Sequence, residues 1–347
     1  MSPHWRPFAD DGLECAGLAW LAQNELALWR MPQQVMSSLP KGVQTQARFP
    51  AGARLQVRTD SSTLHLRLRL VSGAASGLDL YVDGVFWRTL PVPMPGSGPA
   101  SEPASGSGHA EVDVECYTGA SCQMRRIEIY LPLRHELQIE AWAIDEGAQI
   151  DPDPAHDMPL VLYGSSVAQG IGAARPGLSY AARLGRLLDR TLINLGFGGA
   201  GKAEPEVVAL VQQIEASCYL LDLGKSYGRQ DAGPYTAMIR TLREAHAHAP
   251  VLCITPIYSS RGLYEPGYDE LTRHTQDVVR QACATFIDDD LVQIVEGESL
   301  LSATETDHLT GDGVHPNDLG HTQIAARLLP QVRQILGSTN PTSGQEP

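Results

Sequence analysis

Two short stretches carry residue types whose spacing suits nucleophilic acyl chemistry. The first is Tyr163-Gly164-Ser165-Ser166-Val167-Ala168-Gln169-Gly170, where serines directly follow an apolar run and precede a helical pattern. A serine at such a turn points its oxygen into a crevice. It also sits beside helix amides able to hold a developing negative charge. Seen alone, a serine-rich turn reads more readily as a simple cap or turn. The second stretch is Gly311-Asp312-Gly313-Val314-His315-Pro316-Asn317. Serine attack needs a base, and histidine titrates near neutrality. The ring then needs an acceptor on its other nitrogen, and an aspartate three residues ahead on a tight loop can reach it. Asp-Gly turn chemistry with a cap for the following helix is the competing reading of this segment.

Charge adds a second signal. Lysine plus arginine total 26 against 40 aspartate plus glutamate, a formal charge of -14, and only three lysines occur: Lys41, Lys202 and Lys225. Two of the three lie in loops after apolar runs, and Arg229 follows closely. They suggest a local positive pocket for an anionic group on a substrate, with a surface rim as the alternative. The acidic balance itself argues against phosphate backbones and anionic membranes as partners.

Other candidates carry less. His135-Glu136 has no second histidine at helical spacing, His246 and His248 end a helix, and Asp288, Asp289 and Asp290 read as a solvated loop. Cys116 and Cys122 lack a metal spacing, and the six cysteines form no CxxC pair. GFGGAG lacks the dinucleotide register, and no Walker loop is present. No metal and no cofactor is therefore expected.

The scaffold must bring these stretches together. At 347 residues the chain has room for about two domains. Leu64-His65-Leu66-Arg67-Leu68-Arg69-Leu70 alternates as a strand with one buried face. Leu78, Leu80 and Val82 alternate likewise, and Asp83-Gly84 follows as a hairpin turn. Ile127, Ile129 and Leu131, then Leu137 and Ile139, continue the pattern, so residues 1–157 are expected to form a β-sandwich of jelly-roll type. Residues 95–108, rich in Pro, Gly and Ser, are expected to be a disordered loop. From 158 to 337 the apolar runs PLVLYG, TLINLGFG, CYLLDLG and VLCITPIY alternate with helical patterns, which means a parallel sheet covered on both faces. One such helix keeps Leu178, Ala181, Leu184, Leu187 and Leu188 on a single face. Another opens at Pro205 with Val207, Val208, Val211 and Ile214 buried. Residues 338–347 form a polar tail. The N-terminus lacks a secretory pattern and no apolar run approaches the 18 or so residues of a membrane span, so a cytoplasmic location is expected.

Taken together, the two reactive stretches resemble the SGNH/GDSL hydrolase family. Its nucleophile block is similar to Gly164-Ser165-Ser166-Val167, its second block to Gly199, and its last block to Asp312 and His315. Gly77-Leu78-Asp79-Leu80-Tyr81 and the serine at 165 resemble a subgroup with an N-terminal β-domain. The resemblance spans nearly the whole chain and implies a flavodoxin-like α/β hydrolase domain. It implies Ser166 as nucleophile, His315 as base, Asp312 as its orienter, and the Ser166 and Gly199 amides as an oxyanion hole. The third block departs, with Ser226 where the family carries an asparagine whose side-chain amide helps bind the oxyanion. The Ser226 hydroxyl is expected as the third oxyanion donor, with Lys225 as the alternative, and failing both, slow turnover or a different activity. The implied activity is hydrolysis of a short acyl ester on a carbohydrate or small metabolite. An acyltransferase or lactonase using the same serine is the alternative, as is an inactive glycan- or anion-binding module.

Overall fold

The computed structural model describes residues 4–73, 77–91, 111–119, 122–152 and 158–339. The loop at 95–108 and most of the polar tail lie outside the described residues. Contacts divide the chain into two compact units. The first comprises the N-terminal part up to residue 155, without 37–44 but with Arg175–Gly177; the second holds 37–44 and the rest of the C-terminal part.

Two antiparallel sheets build the first unit. In one, the strands run in the order His4–Pro7, His135–Ile144, Thr63–Gly73, Glu111–Thr118. In the other the order is Ile150–Asp151, Arg54–Thr59, Arg125–Tyr130, Leu78–Val82, Val85–Leu90, with Glu14–Ala16 also pairing onto Arg54–Thr59. The alternation at 64–70 is realised: Leu64, Leu66, Leu68 and Leu70 are buried, while His65, Arg67 and Arg69 are partly exposed. Arg67 pairs in register with Asp113 and binds its carboxylate at 2.7 Å. Leucines of one sheet and Leu55, Val57, Ile127 and Ile129 of the other share a single core. Each such side chain contributes roughly 1.5–3 kcal/mol by leaving water. Asp83 (φ 49°) and Gly84 (φ 76°) form the two-residue turn between Leu78–Val82 and Val85–Leu90, both with the positive φ that matches strand twist. Within this unit Asp79 is fully buried and accepts from Arg175 Nη1 and the Gly177 amide, both at 2.8 Å.

The second unit is a five-stranded parallel sheet in the order Leu192–Gly196, Leu160–Gly164, Cys218–Asp222, Val251–Ile254, Val292–Val295. The first strand in sequence is second in space, so the winding reverses beside it. At such a reversal the loops at the carboxyl ends diverge and leave a crevice. Leu160, Leu162, Leu220, Leu252 and Ile254 share a core with Tyr180, Ala181 and Leu184 of one helix and Ile324, Leu328 and Val332 of the last. The helix after Gly177 runs Tyr180–Leu188, and here one expectation needs correcting: Leu187 is exposed, because the buried stripe is carried by Ala181, Leu184 and Leu188. The helix opened by Pro205 buries Val207, Val208 and Val211, as its spacing predicts. Among the described residues no helix is long and apolar enough to cross a membrane.

Candidate active site

Ser166 opens a single helical turn, Ser166–Gln169, immediately beyond the first parallel strand. The local path is set by backbone crowding. A Cβ on Gly164 would lie 2.1 Å from the Asp222 carbonyl oxygen, and one on Gly196 would lie 2.2 Å from the Gln169 nitrogen. Only glycine lets the neighbouring strand ends close this tightly around the turn. The Ser165 amide donates to Asp222 O (3.0 Å), and Phe197 N donates to Gly164 O (2.9 Å). The turn therefore hangs from both flanking strands rather than from a free loop.

The other stretch arrives from the far end of the chain as a loop closed by an isolated bridge between Leu309 and Pro316 and by Thr310 N donating to His315 O at 2.8 Å. It brings His315 Nε2 to 2.9 Å from Ser166 Oγ, and His315 Nδ1 to 2.6 Å from Asp312 Oδ2. The other Asp312 oxygen accepts from Thr310 Oγ1 (2.7 Å), Val314 N (2.8 Å) and His315 N (3.0 Å). Partial burial disfavours the charge, yet the bonds from His315, Val314 and Thr310 outweigh it and hold the Asp312 carboxyl well below the usual range. An ionised Asp312 facing Nδ1 keeps the proton there, which leaves Nε2 as the acceptor for the serine hydroxyl.

Gly199 follows the second strand with φ +72° and open space where a side chain would project. The preceding amide, Gly198 N, is tied to Gln169 Oε1 at 2.7 Å. Among the described residues no acceptor takes the amides of Ser166 or Gly199. These two donors are thus free to bind a developing oxyanion. Ser226 lies half-buried in the 3-10 turn Gly224–Tyr227 that follows the third strand. That turn abuts the nucleophile block: a Cβ on Gly224 would meet Ser165 Oγ at 3.2 Å.

The three cations singled out in the sequence part company. Lys225 Nζ donates to the Ile257 carbonyl at 3.0 Å and stands 5.8 Å from the Tyr268 ring centroid. Burial pushes its pKa down to about 8, against the pull of Asp222 and Glu298. Lys202 and Arg229 are exposed, on loops joined by Gln230, which donates to Lys202 O and Tyr227 O. His246 caps its helix and contacts Gln212 O at 2.7 Å, and Asp289 pairs with Arg243. Among the described residues no group of three or more His, Cys, Asp or Glu is placed to hold a metal ion.

Sequence reasoning missed a buried polar chain beneath the serine turn. Tyr180 OH donates to Asp222 Oδ2 at 2.7 Å, and Tyr180 N donates to His321 Nδ1 at 3.2 Å. His321 Nε2 meets Ile171 O at 3.2 Å, and its ring stacks on Tyr180. Burial raises the Asp222 pKa to about 6 and lowers that of His321 to about 4. No motif marks these residues, because each acts through neighbours on other elements.

Comparison with known proteins follows the same lines. The model of the GDSL-like lipase/acylhydrolase family matches residues 157–333. No curated relative matches the sequence. Among solved structures, a protein assigned as a GDSL-like lipase from Bacteroides ovatus shares 24% identity at a TM-score of 0.78, covering 97% of this chain and 98% of that one. A salicylyl-acyltransferase of a tetracycline biosynthetic pathway shares 21% at a TM-score of 0.82, covering 96% and 97%. A family two carbohydrate esterase from Cellvibrio japonicus shares 15% at a TM-score of 0.65, covering 98% and 99%.

Proposed function

The chain belongs to the GDSL-like lipase/acylhydrolase family, and from that premise we propose that it is a serine esterase acting on short acyl esters of a carbohydrate or small metabolite. The observation that carries the reading is the continuous contact Ser166 Oγ–His315 Nε2 and His315 Nδ1–Asp312 Oδ2, at 2.9 and 2.6 Å. Ser166 Oγ attacks the ester carbonyl while His315 Nε2 takes its proton, a transfer worth about 10²–10⁴-fold in rate. The imidazolium is held by Asp312. Oxygen charge develops against the Ser166 and Gly199 amides, where loss of one donor typically costs about 2.7–4 kcal/mol. His315 then returns the proton to the leaving alcohol, and water repeats the sequence to release the acid. The likeness to carbohydrate esterases supports a sugar ester as substrate.

Acyl transfer to a hydroxyl other than water is the second reading, favoured by the likeness to the salicylyl-acyltransferase. A fluorophosphonate and a series of p-nitrophenyl esters of graded chain length test the proposal. Covalent labelling of Ser166 with turnover of the shortest esters is expected. Absence of labelling would leave only a binding role. Added sugar or phenol acceptors that divert the acyl group from water would favour transfer over hydrolysis.

A further inference from the structure

Ser259 lies on a loop after the fourth parallel strand, outside every stretch considered so far. Its side chain is buried, and its Oγ donates to the carbonyl oxygen of Gly313 at 2.7 Å. The direction of that bond is forced. The Arg261 amide donates to the same Oγ at 3.3 Å, which uses the hydroxyl as an acceptor on its other side. A serine hydroxyl has one proton, and the Gly313 carbonyl can only accept.

The Gly313 carbonyl belongs to the same peptide unit as the Val314 N–H, which donates to Asp312 Oδ1 at 2.8 Å. One rigid plane is therefore held at its oxygen by Ser259 and at its hydrogen by the carboxylate that orients His315. Gly313 stands at φ +66°, and a Cβ there would strike Ser260 Oγ (2.5 Å) and Tyr264 OH (2.9 Å). The turn is thus seated directly against residues 260–264. Freed from Ser259, the 313–314 plane can rotate, and Asp312 loses a donor that keeps it aimed at Nδ1.

We infer that Ser259 is a positioning residue for the Asp312–His315 pair, acting through the single Gly313–Val314 peptide. The inference deepens the esterase reading and rests on it for the assignment of His315 as base. Ser259→Ala should lower kcat on a p-nitrophenyl ester by about three- to tenfold, the worth of one hydrogen bond, with KM little changed. In the proton NMR spectrum the low-field Nδ1–H resonance of His315 should move upfield and broaden. Ser259→Thr, which keeps the hydroxyl, should restore both. If Ser259→Ala does not fold, Ser259→Cys, a weak donor at the same place, should show the same loss of kcat and the same upfield shift to a smaller extent, and its matching wild type in both would overturn the inference. Unchanged kcat and resonance in a folded Ser259→Ala protein would overturn the inference. So would a loss that Thr fails to restore, or a loss of kcat with the resonance unmoved, which would reduce Ser259 to a cap of the 260–263 turn. A wild-type protein without ester turnover would sink the esterase reading alone, and the resonance would still decide the role of Ser259.

Discussion

Asp222 and Tyr180 share a buried hydrogen bond of 2.7 Å, while the main-chain oxygen of the same Asp222 holds the amide of Ser165, the residue before the nucleophile. The residue whose backbone holds the amide before the reactive serine thus carries a carboxylate whose pKa burial raises to about 6. The tyrosine hydroxyl stabilises its charged form. Tyr180→Phe should therefore lower the melting temperature, by the equivalent of about 1–3 kcal/mol for an unsatisfied buried acceptor. The loss should be larger at pH 8, where Asp222 is ionised, than at pH 5, where it is protonated. Thermal unfolding at the two pH values checks this, and equal losses would contradict it.

The relay is tested by substitution. Ser166→Ala should abolish phosphonate labelling and lower kcat by several orders of magnitude, and His315→Ala should do nearly as much, because the members act as a unit. Asp312→Asn should cost about 10⁴-fold in kcat by favouring the wrong ring tautomer, with a smaller effect on KM. Steady-state kinetics on one activated ester suffices. An alanine at 166 that keeps most of the activity would refute the proposed mechanism.

His321 supplies an acid limb to stability. Its folded pKa, lowered by burial to about 4, lies below the ordinary 6.5, so the unfolded chain takes up the proton first as pH falls. Its contribution is complete above about pH 6.5 and is lost as pH drops toward 4. His321→Gln should flatten the melting temperature between these values. His135, buried, shifted in the same direction and without partners on either ring nitrogen among the described residues, adds to this limb, while Asp222, raised to about 6, opposes it over the same range.

Ser226 tests the departure from the family's third block. If two backbone amides are the only oxyanion donors, Ser226→Asn adds a bond formed in the transition state. It should raise kcat by about tenfold or more with little change in KM. A variant indistinguishable from wild type would mean that this turn does not reach the oxyanion.

The exposed cations give a further prediction. Lys202→Met or Arg229→Met should lower kcat/KM a few-fold for an anionic ester relative to its neutral isostere, and salt should erase the difference. Lys225→Met should instead act on stability, since its ammonium is committed to the Ile257 carbonyl.

What could be read from the sequence was whatever depends on local order. Asp83-Gly84, the leucine alternation at 64–70 and the three-residue spacing of Asp312 and His315 each express one turn or one period, so residue order alone reveals them. Lys225 illustrates the limit: counting lysines located a rare charge, but its direction depends on a carbonyl 32 residues away. Asp222, Tyr180, His321 and Ser259 were silent for the same reason, since their partners lie on other elements. Leu187 marks the weakness of periodicity near a helix end, where a stripe continues in sequence after burial has stopped.

The loop from Leu309 to Pro316 closes on itself and carries both the base and its orienter, whereas the nucleophile is wedged into the sheet. The nucleophile's side chain meets this loop at one hydrogen bond, Ser166 Oγ to His315 Nε2. If the loop opens locally, base and orienter leave together and the sheet keeps its native order. Inactivation on warming should precede the loss of tertiary signal and should reverse on cooling. A protease nick between Thr310 and Val314 would leave a folded protein that has forfeited its general base, yet keeps its nucleophile wedged at the end of the sheet.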